Sequence, residues 1–373
     1  MKLIDHTMIK FLSKHFPGRN YPILMVHILY LVAAGAMTYV YFHKIIAPVD
    51  FFADEYGGVF RVLNIDAVST IQFRFLVPLL IGLFYYTIHI PAKALMFFYT
   101  VLFIYFTFVA FYRIICIYFK NELFNSLLAM LVLYPLSWNL IAINKMFFFT
   151  DTSSLFFMMI SIYLILTRNF KLLIPVFFLG TINHYSIGFV IPAFLLFNYR
   201  SIFKPGIMKL AAVLFFIYTG YFVIAKLLLP ELPAERDDGF LLANFERNIQ
   251  HIRTSPNHLI LRDIFFNFGG IHIFTLLFYF SPMWKKIKRE YTLYNLTILI
   301  FVTMTLTGFG LFSEELRCYV PILPFLLIPA MLFLSQFAPN LMPLRKNVLE
   351  DKKKFSMHHV IGDGVMLKPM RKY

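Results

Sequence analysis

The chain has 373 residues, 60% of them hydrophobic and 19% aromatic, with 34 Lys and Arg against 19 Asp and Glu and a net charge of +15. A mean hydropathy of +0.73 excludes a soluble globular protein, which could not hide that much apolar surface. The basic residues fall mostly in short loops between apolar runs, so they read as orientation signals for a membrane protein and not as a nucleic-acid surface.

Residues 1–20 (MKLIDHTMIKFLSKHFPGRN) are basic and lack the apolar region and cleavage site of a signal peptide, so they read as a cytoplasmic lead-in. The first span is expected at about 22–43. A loop over 44–93 follows, holding the acidic run APVDFFADEYGG and the apolar stretch Phe73–Ile90. Further spans are expected at about 94–118, 123–143, 151–167, 170–183, 185–199, 208–229, 259–281, 292–312 and 318–337. A second polar loop occupies 230–258, with the composition of a short surface helix. From 338 the chain is polar and basic and reads as a loose cytoplasmic tail. Cys116 and Cys318 lie in or beside apolar segments, and no CxxC or Cys/His metal pattern occurs.

The topology turns on Phe73–Ile90. If it lies at the surface or enters only partway, Arg168, Lys171, Arg200, Lys204 and the run Lys285–Arg289 share one side with both termini. Roughly 22 of the 34 basic residues then lie in the cytoplasm. The predicted fold is therefore an all-α, polytopic membrane helix bundle. It has about ten transmembrane helices plus an interfacial or re-entrant helix in the first external loop. Residues 1–337 form one transmembrane domain and 338–373 the tail. Roughly 13 of the 19 acids fall on the external side.

Five groups on that side carry possible chemistry. Asp50, Asp54 and Glu55 sit beside the membrane. A carboxylate there can accept a proton from a hydroxyl, ligate a divalent cation, or simply make an acidic solvated loop. Arg74, in IQFRFLVPLL, can fork onto a phosphate or snorkel to the interface. Asp151, in FFFTDTSSLFFMM, has the pattern of a helix N-cap and also the position to face the same pocket. His184, in GTINHYSIGF, stands at a polar hairpin tip between two segments short for a full span. Short paired segments of that kind often line a cavity. Glu315 and Arg317, in FSEELRCYVPILP, head the last span, either as an internal pair or as a phosphate clamp.

Together these motifs resemble the GT-C superfamily of polytopic glycosyltransferases. Asp54-Glu55-Tyr56 matches the acidic motif of its first extracytoplasmic loop, FRFLVPLL its Arg and Leu-x-Pro stretch, TDTSSLFFMM its helix-heading Asp, and EELRCYVPILP its Glu-x-Arg and Pro-rich helix. The turn GTINHYS carries His-Tyr where several bacterial members carry an acid, and no large C-terminal soluble domain is visible. The resemblance implies a polyprenyl-phosphate sugar donor, a glycan or lipid acceptor, and transfer to an acceptor hydroxyl outside the cytoplasm, at an inner (plasma) membrane. It implies Asp54 as general base, with Glu55 or Asp50 next in order. It assigns Arg317 and Arg74 to the donor phosphate, and Asp151 and His184 to orienting sugar or acceptor. A divalent cation stays open. Two other readings compete: a polysaccharide polymerase or ligase, which would use arginines of the 230–258 loop, and a transporter, which would show inverted repeats.

Overall fold

The computed structural model describes residues 21–46, 59–64, 74–142, 150–228, 240–258, 261, 267–304 and 316–349; among these the chain is all-helical, with no strand and two isolated β-bridges. Helix α1 (Tyr21–Tyr41) is followed by α2 (Val59–Leu63), α3 (Leu76–Ile88) and α4 (Ala92–Tyr118). Next, α5 (Glu122–Ala129) and α6 (Leu133–Ser137) form one rod that ends in a π-turn at Trp138–Ala142. Then come α7 (Thr150–Leu166), α8 (Phe170–Asn183), α9 (Val190–Phe197), α10 (Pro205–Leu228) and α11 (Phe240–Thr254). The last are α12 (Ile271–Phe280), α13 (Glu290–Leu293), α14 (Thr297–Met304) and α15 (Leu323–Leu334). The stretches from Leu24, Ala92, Glu122 and Pro205 are long and apolar enough to cross a bilayer, as befits a membrane protein.

Local sequence sets the boundaries. Asn121 caps α5, its Oδ1 accepting the Phe124 N–H at 3.2 Å, with Glu122 in the first turn. Helix α3 stops at His89, whose φ is 58°, and Pro91 then stands just before α4. Helix α15 is apolar all round, and Leu323 through Leu332 are all buried, which places it at the centre of the bundle.

Two ends of the bundle can be told apart. At one, the Tyr118 ring meets Tyr291 at 5.9 Å, Phe197 meets Tyr291 at 5.8 Å, and Arg168 lies 6.0 Å from the Phe197 ring. The sequence predicted a loose tail from 338, but residues 341–349 dock across this end as a strap. The Arg345 N–H donates to the Tyr118 carbonyl, the Lys120 N–H to Pro343 and the Lys288 N–H to Val348, while Met342 and Val348 are buried. Backbone groups left over at helix ends and turns find partners in this way.

Helix α1 runs antiparallel to α4, with Tyr30 on Phe108 at 5.3 Å and Phe42 on Phe97 at 5.6 Å. The chain therefore leaves α1 and begins α4 at the same end, opposite the strap. Helix α7 runs parallel to α4, and Phe103 meets Phe156 at 5.9 Å. Arg74, just before α3, contacts the start of α7. Helix α3 has 13 residues, about 20 Å, short of a hydrocarbon layer of about 30 Å.

Three consecutive residues before α12 have left-handed backbones: Phe268 (φ 57°), Gly269 (φ 63°) and Gly270 (φ 77°). A Cβ on Gly269 would also collide with the Tyr134 ring. Gly269→Ala is expected to lose about 1–2 kcal/mol from the backbone alone, and more from the collision. Gly206→Ala, where a Cβ meets nothing within 4 Å, should leave the melting temperature in detergent within error of wild type.

Candidate functional site

Three of the residues singled out in the sequence meet at the end opposite the strap. Asp151 lies in the first turn of α7, Arg74 just before α3, and His184 between α8 and the 3-10 turn Tyr185–Phe189. The Arg74 Nη1 stands 3.9 Å from Asp151 Oδ1 and 3.4 Å from the Thr150 hydroxyl. The His184 Nε2 stands 3.7 Å from the same Asp151 oxygen. All three are buried, at 7%, 3% and 3% exposure, which is unusual for charged side chains unless they face one another.

The helix start explains why Asp151 turns inward. The sequence pattern suggested an N-cap, but Thr150 is already helical, so Asp151 lies inside the turn. Ser153 and Ser154 donate back to the carbonyls of Thr150 and Asp151 at 2.8 and 2.7 Å. Ser153 also reaches the Asn183 Oδ1 at 2.8 Å, which ties α7 to the end of α8. A carboxylate at a helix N-terminus is favoured by the helix dipole. Here its outer face is given to a guanidinium and an imidazole.

His184 is fixed in orientation. Its Nδ1 accepts the Ser186 N–H at 3.1 Å, and the Ser186 hydroxyl lies 2.8 Å from the same nitrogen. With Nδ1 accepting, the neutral ring carries its proton on Nε2, directed at Asp151. Tyr185 completes the group. Its ring stacks on His184 at 4.3 Å and 29°, and the Arg74 guanidinium carbon lies 5.4 Å from its centroid. The Tyr218 hydroxyl holds the Tyr185 carbonyl at 2.8 Å.

The short hairpin α8–α9 places His184 at its tip, as its spacing predicted, yet the tip is buried: Asn183 is 0% and Ser186 1% exposed. Gly180 permits that. A Cβ there would lie 2.8 Å from the Ile187 side chain, so only glycine lets the two arms close. An apolar cleft of about 340 Å³ begins at Tyr185 and runs between Phe189, Tyr218, Thr219, Phe301 and Met304.

Asp50, Asp54, Glu55 and Glu315 lie outside the described residues. Arg317 heads the 3-10 segment Leu316–Ile322, which packs on α7, but its side chain lies outside them too. Arg247 and Arg253 of the 230–258 loop are exposed on α11 and not in the cluster. Among the described residues no three His, Cys, Asp or Glu side chains gather as a metal site. Cys116 is a free thiol that receives an Asn125 amide contact at 3.5 Å. The supporting roles of Thr150 and Ser153 were not foreseen. Serine and threonine in a helix usually bond their own backbone, and nothing in the spacing marks a cross-helix bond. No family model, curated protein or solved structure matches the chain.

Proposed function

We propose that the protein is a membrane glycosyltransferase that moves a sugar from a polyprenyl-phosphate donor to an acceptor hydroxyl on the extracytoplasmic side, in envelope glycan or glycolipid synthesis. The observation that carries this reading is the convergence of Arg74, Asp151 and His184 beside an apolar cleft that starts at Tyr185. A buried cation next to an apolar groove suits a substrate with a phosphate head and a hydrocarbon tail. The same reading counts the shorter apolar helices toward about ten crossings. It places both termini in the cytoplasm and the cluster at the outer face of the inner membrane.

In the reaction, the bond between the anomeric carbon and the donor phosphate oxygen breaks, and a bond to the acceptor oxygen forms. The acceptor proton passes to Asp54, with Glu55 or Asp50 as neighbouring carboxylates. The polyprenyl phosphate leaves as an anion, stabilised by Arg74 and by Arg317, beside Glu315. Donors placed in advance at the developing negative charge are the strongest means of lowering such a barrier. Asp151 and His184 orient the sugar, since a fixed imidazole N–H and a carboxylate offer one donor and one acceptor to adjacent hydroxyls.

The test is a donor assay. Purified protein incubated with a panel of polyprenyl-phosphate sugars should release polyprenyl phosphate from at least one. Asp54→Asn should slow that release by ~10²–10⁴-fold, the usual worth of a general base. Absence of release by wild type across the panel would reject the transferase reading, and undiminished release by Asp54→Asn would reject Asp54 as base.

A further inference from the structure

The strap end of the bundle gathers cations that the sequence scatters. The strap joins the α4–α5 turn through the Lys120 N–H to the Pro343 carbonyl, and the turn after α12 through the Lys288 N–H to the Val348 carbonyl. Lys120, Lys285, Lys286, Arg289 and Lys346 are thereby brought to one end face, and all are exposed. Arg168 joins them: it is exposed, its guanidinium carbon lies 6.0 Å from the Phe197 ring, and that ring meets Tyr291. Like charges drawn together repel unless an anion lies among them. The acids of this end among the described residues are Glu122 and Glu290, and neither forms an ion pair with these cations. The chain just beyond the strap adds Glu350 and Asp351 but also Lys352, Lys353 and Lys354, all outside the described residues.

Apolar rings stand beside these cations. Phe280, the last residue of α12, and Phe337, just past α15, are 85% and 74% exposed. The Gln336 side-chain amide reaches the Ser281 hydroxyl at 3.4 Å, which holds the two chain segments next to one another. Leu341, where the strap begins, is 49% exposed. An orientation signal needs only Lys and Arg spread through loops. It needs neither their convergence nor apolar rings alongside. A phosphate that carries acyl chains meets both. A nucleic acid or an acidic protein would match the charge but leave the rings in water. We propose that this face binds an anionic phospholipid of the adjoining leaflet, with its phosphate on Lys285, Lys286 and Lys346 and its acyl chains along Phe280 and Phe337. In the orientation proposed above, that leaflet is the cytoplasmic one, where anionic lipids collect. The lipid touches both strap and bundle, and so clamps the strap in place.

Native mass spectrometry of the full chain, released from micelles doped equally with phosphatidylglycerol and phosphatidylcholine, reads the preference directly. Wild type is expected to retain phosphatidylglycerol at least tenfold over phosphatidylcholine, and to melt higher as phosphatidylglycerol is added. A lysine near an anionic surface is worth roughly fivefold in binding. The variant carrying Lys285→Gln, Lys286→Gln and Lys346→Gln should therefore lose at least tenfold of the preference, and with it the thermal gain. These side chains are exposed, so its melting temperature without phosphatidylglycerol should match wild type and show that it has folded. Lys226→Gln, exposed in the last turn of α10 at the other end of the bundle, should keep both the preference and the gain. Equal retention of the two lipids by wild type, or a preference that survives the triple variant, would overturn the inference. An equal loss in Lys226→Gln would overturn it as well, marking net charge in place of a site. A poly-glutamate peptide that outcompetes phosphatidylglycerol for wild type would give the face to an acidic protein instead.

Discussion

Arg74→Met is expected to abolish release of polyprenyl phosphate and to cost the fold about 3–5 kcal/mol, the usual penalty for removing one partner of a buried ion pair. Asp151 is 3% exposed and its Oδ1 lies 3.9 Å from the guanidinium. Without Arg74 the carboxylate stays buried, with the His184 imidazole as a neighbour. Asp151→Asn in the same chain removes the stranded charge and should recover a large part of the stability, while turnover stays lost because the cation is still missing. Thermal unfolding of wild type, both single variants and the double variant closes a mutant cycle. Residues in one network couple by ~0.5–3 kcal/mol, whereas independent sites add. Additive losses, or a wild-type melting point for Arg74→Met, would show that the two side chains are neighbours without a shared energetic role.

Ending the chain after Phe337 should lower its melting temperature by many degrees, because the strap is lost. The lost parts include the backbone bonds from Lys120, Lys288 and Arg345, and the buried side chains of Met342 and Val348. Each such side chain is worth ~1.5–3 kcal/mol when fully buried. The Arg345 guanidinium also donates to the Phe119 carbonyl at 3.2 Å, at the C-terminal end of α4. A cation there complements the helix dipole. A protein ending at Phe337 that melts with wild type would show that the strap lies on the bundle without bracing it.

The helices were legible because a bilayer imposes long apolar runs, and Lys, Arg, Pro and Gly interrupt them. The expected span at 170–183 and the observed α8 (Phe170–Asn183) share their bounds for that reason. Charge bookkeeping set Phe73–Ile90 apart from the expected spans, and the 13-residue α3 is not one of the four helices long enough to cross a bilayer. Arg74, Asp151 and His184 were picked out one at a time, as costly polar groups in apolar surroundings. Their placement on one side, facing a common pocket, was expected; what the sequence did not show is that Arg74 and His184 both meet one Asp151 oxygen, which depends on Gly180 letting α8 and the Tyr185 turn close. The docked strap was hidden as well. Residues 341–349 have no apolar periodicity, and they are held by backbone hydrogen bonds that composition does not encode.

The shortness of α8 has a consequence for the lipid around it. Its 14 residues span about 21 Å, against a hydrocarbon layer of about 30 Å. Leu172, Phe178 and Leu179 on that helix are exposed. Hydrophobic mismatch of this size is relieved by local thinning of the membrane. If α8 is one of the proposed crossings, the headgroup layer should dip along it and bring lipid phosphates closer to the end of the bundle that holds Arg74.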